Sequence, residues 1–556
     1  MSGQSGVIYT SRDVEDVFRC LSTICTAGRL NSPQKSNPLY RRPPPLIRVS
    51  DVAFDKRAVE RERFSFHLPP DYRFLYPAAT LAYYLGASLE ADGAAFIELG
   101  SGGRILLPNF PEIELWMGDM LRRTFYLDCA VRYAVASGGA LNGLDVRKAL
   151  GRPAVDVFYM RPDERLLLYH DAGPNLDELP VWHMAAYLDP VPESVEALPY
   201  LLHSLSAIYS PRSSPMTERS LVSLSVNGFL GRQGVALPGV DKGERSVVVP
   251  SLMPARSQLW FSEGYPVDAV KATPRAFMNS QRYPRKKKVR VGIICNEADM
   301  SEEVDVVIEA LSDAASAMQV FWGLDVSGFS RVFARGFDII QLIGHCDERG
   351  FKCRDGFAKA RDIEENNTPM FFFNSCSSHA EAAKLVDKGS ACGVATFYRV
   401  LEEAAVDVCR NFYLMLGAGY PAYMAIDAAR ECSVLGKEYI LIGDGSYCFG
   451  GDGLKPLYRI SRHGEECTLS CTIGNVQKGY VVSTWSPEGK KMASDLGFET
   501  RFMSPEQLSA IAMKFKGFCI YNKSIYTSVR EAAMKAAEDS RDDSHHCKRK
   551  RPRPGS

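Results

Sequence analysis

Two short apolar runs, each ending on a reactive side chain, constrain this chain more than any other feature. Residues 338–345 read Asp-Ile-Ile-Gln-Leu-Ile-Gly-His, and residues 370–376 read Met-Phe-Phe-Phe-Asn-Ser-Cys. Apolar runs this short, bounded by small or polar residues, predict buried strands of a parallel sheet. In open α/β sheets, chemistry collects at the carboxyl ends of such strands. If the two strands are neighbours, His345 and Cys376 project into one crevice. A cysteine nucleophile with a histidine base needs that arrangement.

Length and charge set the frame. A chain of 556 residues exceeds one ordinary core, so two to four domains are expected. The 66 basic and 66 acidic residues cancel, which removes any global electrostatic case for nucleic acid. The 15 cysteines follow no disulfide framework, and Cys295 sits inside the apolar run Val-Gly-Ile-Ile-Cys. Buried thiols in a reducing compartment fit that usage. Met1–Ser11 is polar and does not read as a signal peptide. The longest near-apolar stretch, Phe74–Leu89, contains Pro77 and is short for a membrane span, so a core helix is expected. The expectation is a cytoplasmic protein with no membrane partner.

Periodicity divides the chain. Residues 1–46 hold a helix at 12–27, with Ser11 as cap, and the stiff run Arg41-Arg42-Pro43-Pro44-Pro45. Residues 47–255 alternate strands and helices and predict an α/β or α+β domain. Its strands are expected at Ala95–Leu99, Val155–Tyr159 and Leu166–Tyr169, with a helix candidate at Ser194–Ile208. Residues 256–287 read as a linker that runs into Arg285-Lys286-Lys287-Lys288. From 288 to 450 the pattern sharpens into alternating strands and helices, which predicts an α/β fold with a mostly parallel sheet flanked by helices. Strands are expected at Val289–Cys295, Phe337–Ile343, Met370–Phe373, Cys392–Phe397 and Glu438–Ile442, and a helix at Glu303–Met318 capped by Ser301. Residues 451–530 predict a small α+β appendage, and 531–556 a disordered basic tail.

Residues 288–450 resemble the caspase-like cysteine peptidase clan, and most closely its CHAT branch. The resemblance rests on an ordered set: Leu-Ile-Gly-His345 with Asp355-Gly356 after it, Asn374-Ser375-Cys376-Ser377, and Gly393-Val394-Ala395-Thr396. The set closes with Leu416-Gly417-Ala418-Gly419-Tyr420-Pro421, Ala428-Ala429-Arg430 and Tyr439-Ile440-Leu441-Ile442-Gly443-Asp444. The resemblance covers about 160 of the 556 residues. It implies a cysteine endopeptidase in which Cys376 attacks a peptide carbonyl and His345 handles the proton. The backbone N–H groups of Cys376 and Cys346 would hold the oxyanion. One position departs from the clan: glycine normally follows the histidine, and Cys346 stands there. A Cβ at that place penalises a positive φ.

In this clan the charge lining the first pocket selects the substrate. Asp347, Glu348, Asp355, Asp444 and Asn374 are the candidate pocket residues, which would favour cleavage after a basic residue. Asp355-Gly356 and Asp444-Gly445 read equally as turns. A protein or peptide substrate is expected, with an activating partner at the domain of residues 47–255. Arg285–Lys288 would then be a self-processing site or a solvated linker. The alternatives are a catalytically silent scaffold of the same fold and a thiol-dependent hydrolase or transferase acting on small esters or amides. His379 is a weaker choice of base, because it falls on the helix after Cys376. His345, Cys346 and Cys353 are too few to predict a metal site. Gly443-Asp444-Gly445 and Gly450-Gly451-Asp452-Gly453 lack a P-loop lysine and the dinucleotide fingerprint, so no cofactor is expected.

Overall fold

Ten strands from both halves of the chain join in one sheet. The computed structural model describes the chain apart from residues 1–5, 29–30, 52–53, 55–63, 173–178, 231–246, 298–299, 399–401, 451–452, 475–476, 501 and 550–556. The sheet strands are β1 (Trp182–Tyr187), β2 (Ala207–Tyr209), β3 (Ala255–Trp260), β4 (Val270–Lys271) and β5 (Val289–Cys295). They continue with β6 (Ala315–Trp322), β7 (Ile339–Ile343), β8 (Met370–Asn374), β9 (Cys392–Thr396) and β10 (Tyr439–Gly443). Their order is β6-β5-β7-β8-β9-β10-β4-β3-β1-β2.

This sheet is two parallel halves set head to tail. Strands β6, β5, β7, β8 and β9 run one way. Strands β10, β4, β3, β1 and β2 run the other way, with the reversal at the antiparallel pair β9–β10. Both faces are covered, as near-continuous apolar strands require. Helices α1 (Glu302–Leu311) and α2 (Glu402–Gly417) cover one face, against Val291, Ile293, Met370 and Phe372. Helices α3 (Val326–Ala334) and α4 (His379–Asp387), the latter before α2 in the chain, cover the other, against Ile340, Leu342, Phe371 and Phe373.

Several expectations change on contact with the structure. Residues 256–287 are not a free connector, because they complete β3 and supply β4, the strand that carries the sheet across from β10. Val155–Tyr159 and Leu166–Tyr169 lie in helices, Ala154–Tyr159 and Pro162–Ala172. Buried Val157, Leu166 and Tyr169 join the core from those helices, so packing overrides β-propensity. The helix expected to reach Met318 stops at Leu311, and Ala315–Trp322 becomes β6. Ser301 makes no side-chain cap. The N-terminal helix spans Val14–Thr26 and is capped by Asp13, with Ser11 two residues back, accepting from the Asp13 N–H. Ser194–Ile208 is a 3-10 turn, a helix over Leu198–Ser204 and then β2. The tail expected to be disordered from 531 is helical over Val529–Arg549, held by Val529, Ala532, Ala533 and Ala536 against the appendage core.

The appendage itself is a five-stranded sheet built on the Lys455–His463/Glu466–Gly474 hairpin. In the N-terminal half, a buried ion pair locks helices together. Asp128 takes hydroxyl hydrogen bonds from Tyr84 and Tyr169, both at 2.9 Å, and faces Arg165 at 3.3 Å. Removing one partner of such a pair strands the other charge and costs about 3–5 kcal/mol. Asp128→Ala should therefore lower unfolding stability by that amount, read as an earlier urea midpoint with an unchanged slope.

Candidate functional site

The placement of the two reactive side chains follows from strand register. β7 and β8 are parallel neighbours that pair Ile343 with Asn374. His345 and Cys376 each lie two residues beyond that pair. The structure thus delivers both to one edge of the sheet, from adjacent strands. His345 is exposed and Cys376 half-exposed. Among the described residues their side chains make no hydrogen bond, to each other or elsewhere. Catalytic hydrogen bonds often form only once substrate is bound.

What holds Cys376 is the floor beneath it. Asn374 is buried, donates its amide to Glu303 Oε2 at 2.6 Å and accepts from the Tyr439 hydroxyl at 2.8 Å. This corrects Asn374 as a pocket residue, because its amide is spent on α1 and β10. Beyond Cys376 the loop is sewn to β9. Thr396 Oγ1 donates to the Ser375 carbonyl at 2.6 Å, and Ser378 Oγ accepts from the Thr396 N–H at 3.2 Å. Ser377, next to Cys376, sits at φ 53°, a strained conformation for a residue with a side chain. Its N–H donates to the Tyr398 carbonyl at 3.3 Å.

The residue after the histidine takes an unstrained route. Cys346–Asp347 is a strand paired antiparallel with Gly350–Cys353, so Cys346 is extended and needs no positive φ. Lys352 N–H donates to the His345 carbonyl at 2.9 Å. Antiparallel ladders alternate bonded and non-bonded pairs, so Cys346/Phe351 is the non-bonded pair and the Cys346 N–H points out of the hairpin. The Cys346 thiol is buried and pushed well up by burial, with Glu381 and Asp347 adding to the effect. The hairpin is fixed to β8 through rings: Phe351 meets Phe373 edge-on at 4.9 Å and stacks on Phe329 at 5.3 Å.

The carboxylates divide differently from the expectation. Asp347 is held by Arg349 at 2.6 Å, and that hydrogen bond pulls its pKa down. Asp355 accepts from the Val326 N–H at 2.9 Å and serves the turn that leads into α3. Glu348 is exposed at the tip of the hairpin. Asp444 is on the wrong edge. β10 is antiparallel to β9, with Cys392 opposite Gly443 and Thr396 opposite Tyr439. The residue after Gly443 therefore lies at the edge opposite Cys376. There it is buried and bonded by Ser280 at 2.6 Å and by Ser446. Gly443 has φ 107°, and a Cβ would meet the Ala391 carbonyl oxygen at 2.3 Å, so the glycine of that Gly-Asp pair is a packing requirement.

The same reversal brings Glu438 to the Cys376 edge. It precedes Tyr439, its carbonyl accepts from the Phe397 N–H, and its carboxyl is fully buried with no partner on either oxygen among the described residues. Burial pushes it up to about 8, with Glu218 adding to the effect. Sequence reading missed Glu438 because an antiparallel last strand has no local signature; only the acidic residue at a strand start pointed there. His379 is not a base here. It is buried on α4, its Nδ1 lies 3.2 Å from the Thr396 carbonyl, and burial lowers it to about 4. Twelve of the fourteen described cysteines are buried, leaving Cys376 and Cys432 half-exposed, and burial raises Cys432 to about 12. A cleft of about 340 Å³ lined by Ser225, Asp268, Arg430 and Lys437 includes neither His345 nor Cys376. Among the described residues no helix is long and apolar enough to cross a membrane.

No family model and no curated protein matches the sequence. Several solved structures match at low similarity. The Arg-specific cysteine proteinase gingipain R has a TM-score of 0.34 and 8% identity, over 60% of this chain and 93% of its own. The pro- and mature domains of RgpB from Porphyromonas gingivalis give 0.32 and 9%, over 59% and 95%. The separase–securin complex of Saccharomyces cerevisiae gives 0.26 and 10%, over 35% of this chain and 16% of that one.

Glu438 makes stability depend on pH. Its folded carboxyl titrates near 8 against an ordinary value of 4.5, so the folded chain holds the extra proton between these values. Stability is then full below the lower value and falls as pH rises toward the upper one. Glu438→Gln should leave the melting temperature unchanged near pH 4.5 and raise it relative to the parent above pH 8.

Proposed function

We propose that the chain is a cysteine endopeptidase with Cys376 as nucleophile and His345 as its base. The observation that carries this reading is the register of β7 on β8, which sets both side chains two residues past one pair at one sheet edge. His345 takes the thiol proton, and the Cys376 sulfur attacks the peptide carbonyl to give a tetrahedral oxyanion. The outward N–H of Cys346 and the N–H of Cys376 supply the donors for that oxygen, each worth roughly 10²–10³ in rate. His345 returns the proton to the leaving amine, and water then hydrolyses the thioester by the same route.

The substrate is cleaved after a basic residue. Among the described residues Glu438 is a buried carboxyl at this edge without a partner, and Glu348 adds a second acid at the hairpin tip. A bound Arg or Lys would stabilise the ionised form of Glu438 and recover its desolvation cost. Affinity for a basic residue should then rise with pH toward 8, while affinity for a neutral one should not.

The test is covalent labelling by a peptide acyloxymethyl ketone ending in Arg, with Asp- and Gln-ended probes beside it. Cys376→Ala should abolish labelling, and His345→Ala should slow it by about 10²-fold or more. Glu438→Gln should reduce labelling by the Arg probe and leave the Gln probe unchanged. No labelling by any of the three probes, with or without cell extract as a source of activator, would replace this reading by the scaffold.

A further inference from the structure

β6 is the outer strand of the ten-stranded sheet, bonded on one side to β5. Its eight residues, Ala-Ser-Ala-Met-Gln-Val-Phe-Trp, include no charge and no proline. Proteins normally protect a sheet edge of this length with lysine, proline, a bulge or a covering element. Here a register irregularity lies opposite the start of the strand, between Val289 and Arg290, and the rest pairs regularly. Ser316, Ala317 and Gln319 are exposed, and Trp322 is 55% exposed. The other end of the sheet is unlike it, since β2 has only three residues and two of them are buried.

The direction of the backbone groups is fixed. Gly323 N–H donates to the Cys295 carbonyl, so Gly323, Phe321 and Gln319 turn their backbone groups toward β5. Met318, Val320 and Trp322 alternate with them and turn theirs outward, unpaired within the sheet among the described residues. An added antiparallel strand must align outward groups with outward groups, so a two-fold axis has to pass through a residue and not between two.

We propose that β6 pairs with β6 of a second copy of this chain, antiparallel across a two-fold axis at Gln319. That register exchanges backbone hydrogen bonds between Met318 and Val320 of the two copies, twice by symmetry. It also matches side chains by size: Ala317 opposite Phe321 and Ser316 opposite Trp322. Each large ring then lies over a small residue of the other copy. Gln319 meets its own mate on the axis in a non-bonded pair, where side chains are closest and two amides can bond to each other. A peptide of arbitrary sequence would use the same backbone groups but would not meet this pairing of small against large.

The experiment is sedimentation velocity on the full chain over a concentration series. The parent should form a dimer. Gln319→Lys sets two like charges face to face on the axis and should weaken the dimer by at least about tenfold. Gln319→Glu should do the same, and an equimolar mixture of the two variants should restore the dimer. Gln319 is exposed, so both variants should keep the parent's circular dichroism and melting temperature as monomers. A parent that stays monomeric at its highest soluble concentration would overturn the proposal. So would a dimer indifferent to Gln319→Lys, or well-folded variants that fail to pair when mixed.

Discussion

The hydrogen-bond chain Glu303–Asn374–Tyr439 is the constraint on which the arrangement of the candidate site depends. It joins α1, β8 and β10 in three side chains, with links of 2.6 and 2.8 Å. All three groups are buried, where an unpaired amide or hydroxyl would cost roughly 1–3 kcal/mol. The chain is therefore kept intact, and in being kept it sets two things at once. It fixes the end of β8 from which Cys376 projects. It also fixes where β10 begins, at the level where Tyr439 opposes Thr396.

The starting point of β10 decides its direction, and its direction decides the electrostatics. A last strand parallel to β9 would have ended at the Cys376 edge and left Asp444 there. Running antiparallel, it starts at that edge and places Glu438 beside it, while Asp444 is satisfied by two serines at the far edge. The second half of the sheet follows β10 in the same sense, through β4 and β3 to β1 and β2. The N-terminal half is consequently built onto the sheet rather than tethered to it. Val289 and Tyr439 share one continuous apolar core with Leu75, Phe125 and Leu201.

Much of residues 288–450 was legible because strong local signals coincide there. Val289–Cys295, Met370–Asn374 and Cys392–Thr396 are apolar runs with clear stops, and they are strands. The ends of β7 and β8, and with them the position of His345 and Cys376 just past two neighbouring strands, were legible for the same reason. Long-range choices were not legible. Nothing in Tyr439–Gly443 records whether its neighbour runs with it or against it, so Asp444 is expected at the edge opposite to the one it occupies. Ala315–Trp322 carries alanines and a methionine that read as helix, and only pairing with β5 makes it a strand. Leu166–Tyr169 failed the other way: its run of leucines looked like a buried strand, but Leu166 and Tyr169 are three apart on one helical face and both fully buried. Cys346 marks a different limit. The penalty expected from its Cβ assumed a backbone with positive φ, and the hairpin that follows removes the need for one.

The contrast between the floor and the tips of the crevice bears on how a proton could move there. Below the edge, polar groups are buried and bonded; at the edge, the imidazole is exposed and the thiol half-exposed, and among the described residues they have no bond to each other. In water the attraction between a thiolate and an imidazolium at 4 Å is only about 1 kcal/mol, and it grows several-fold as the effective dielectric falls. A peptide laid across the crevice would exclude that water and strengthen every charge interaction within it. Glu438 is already fully buried, and that uncompensated burial holds its proton to about pH 8. A basic side chain brought beside it supplies the missing partner, whereas a neutral one leaves the carboxyl protonated.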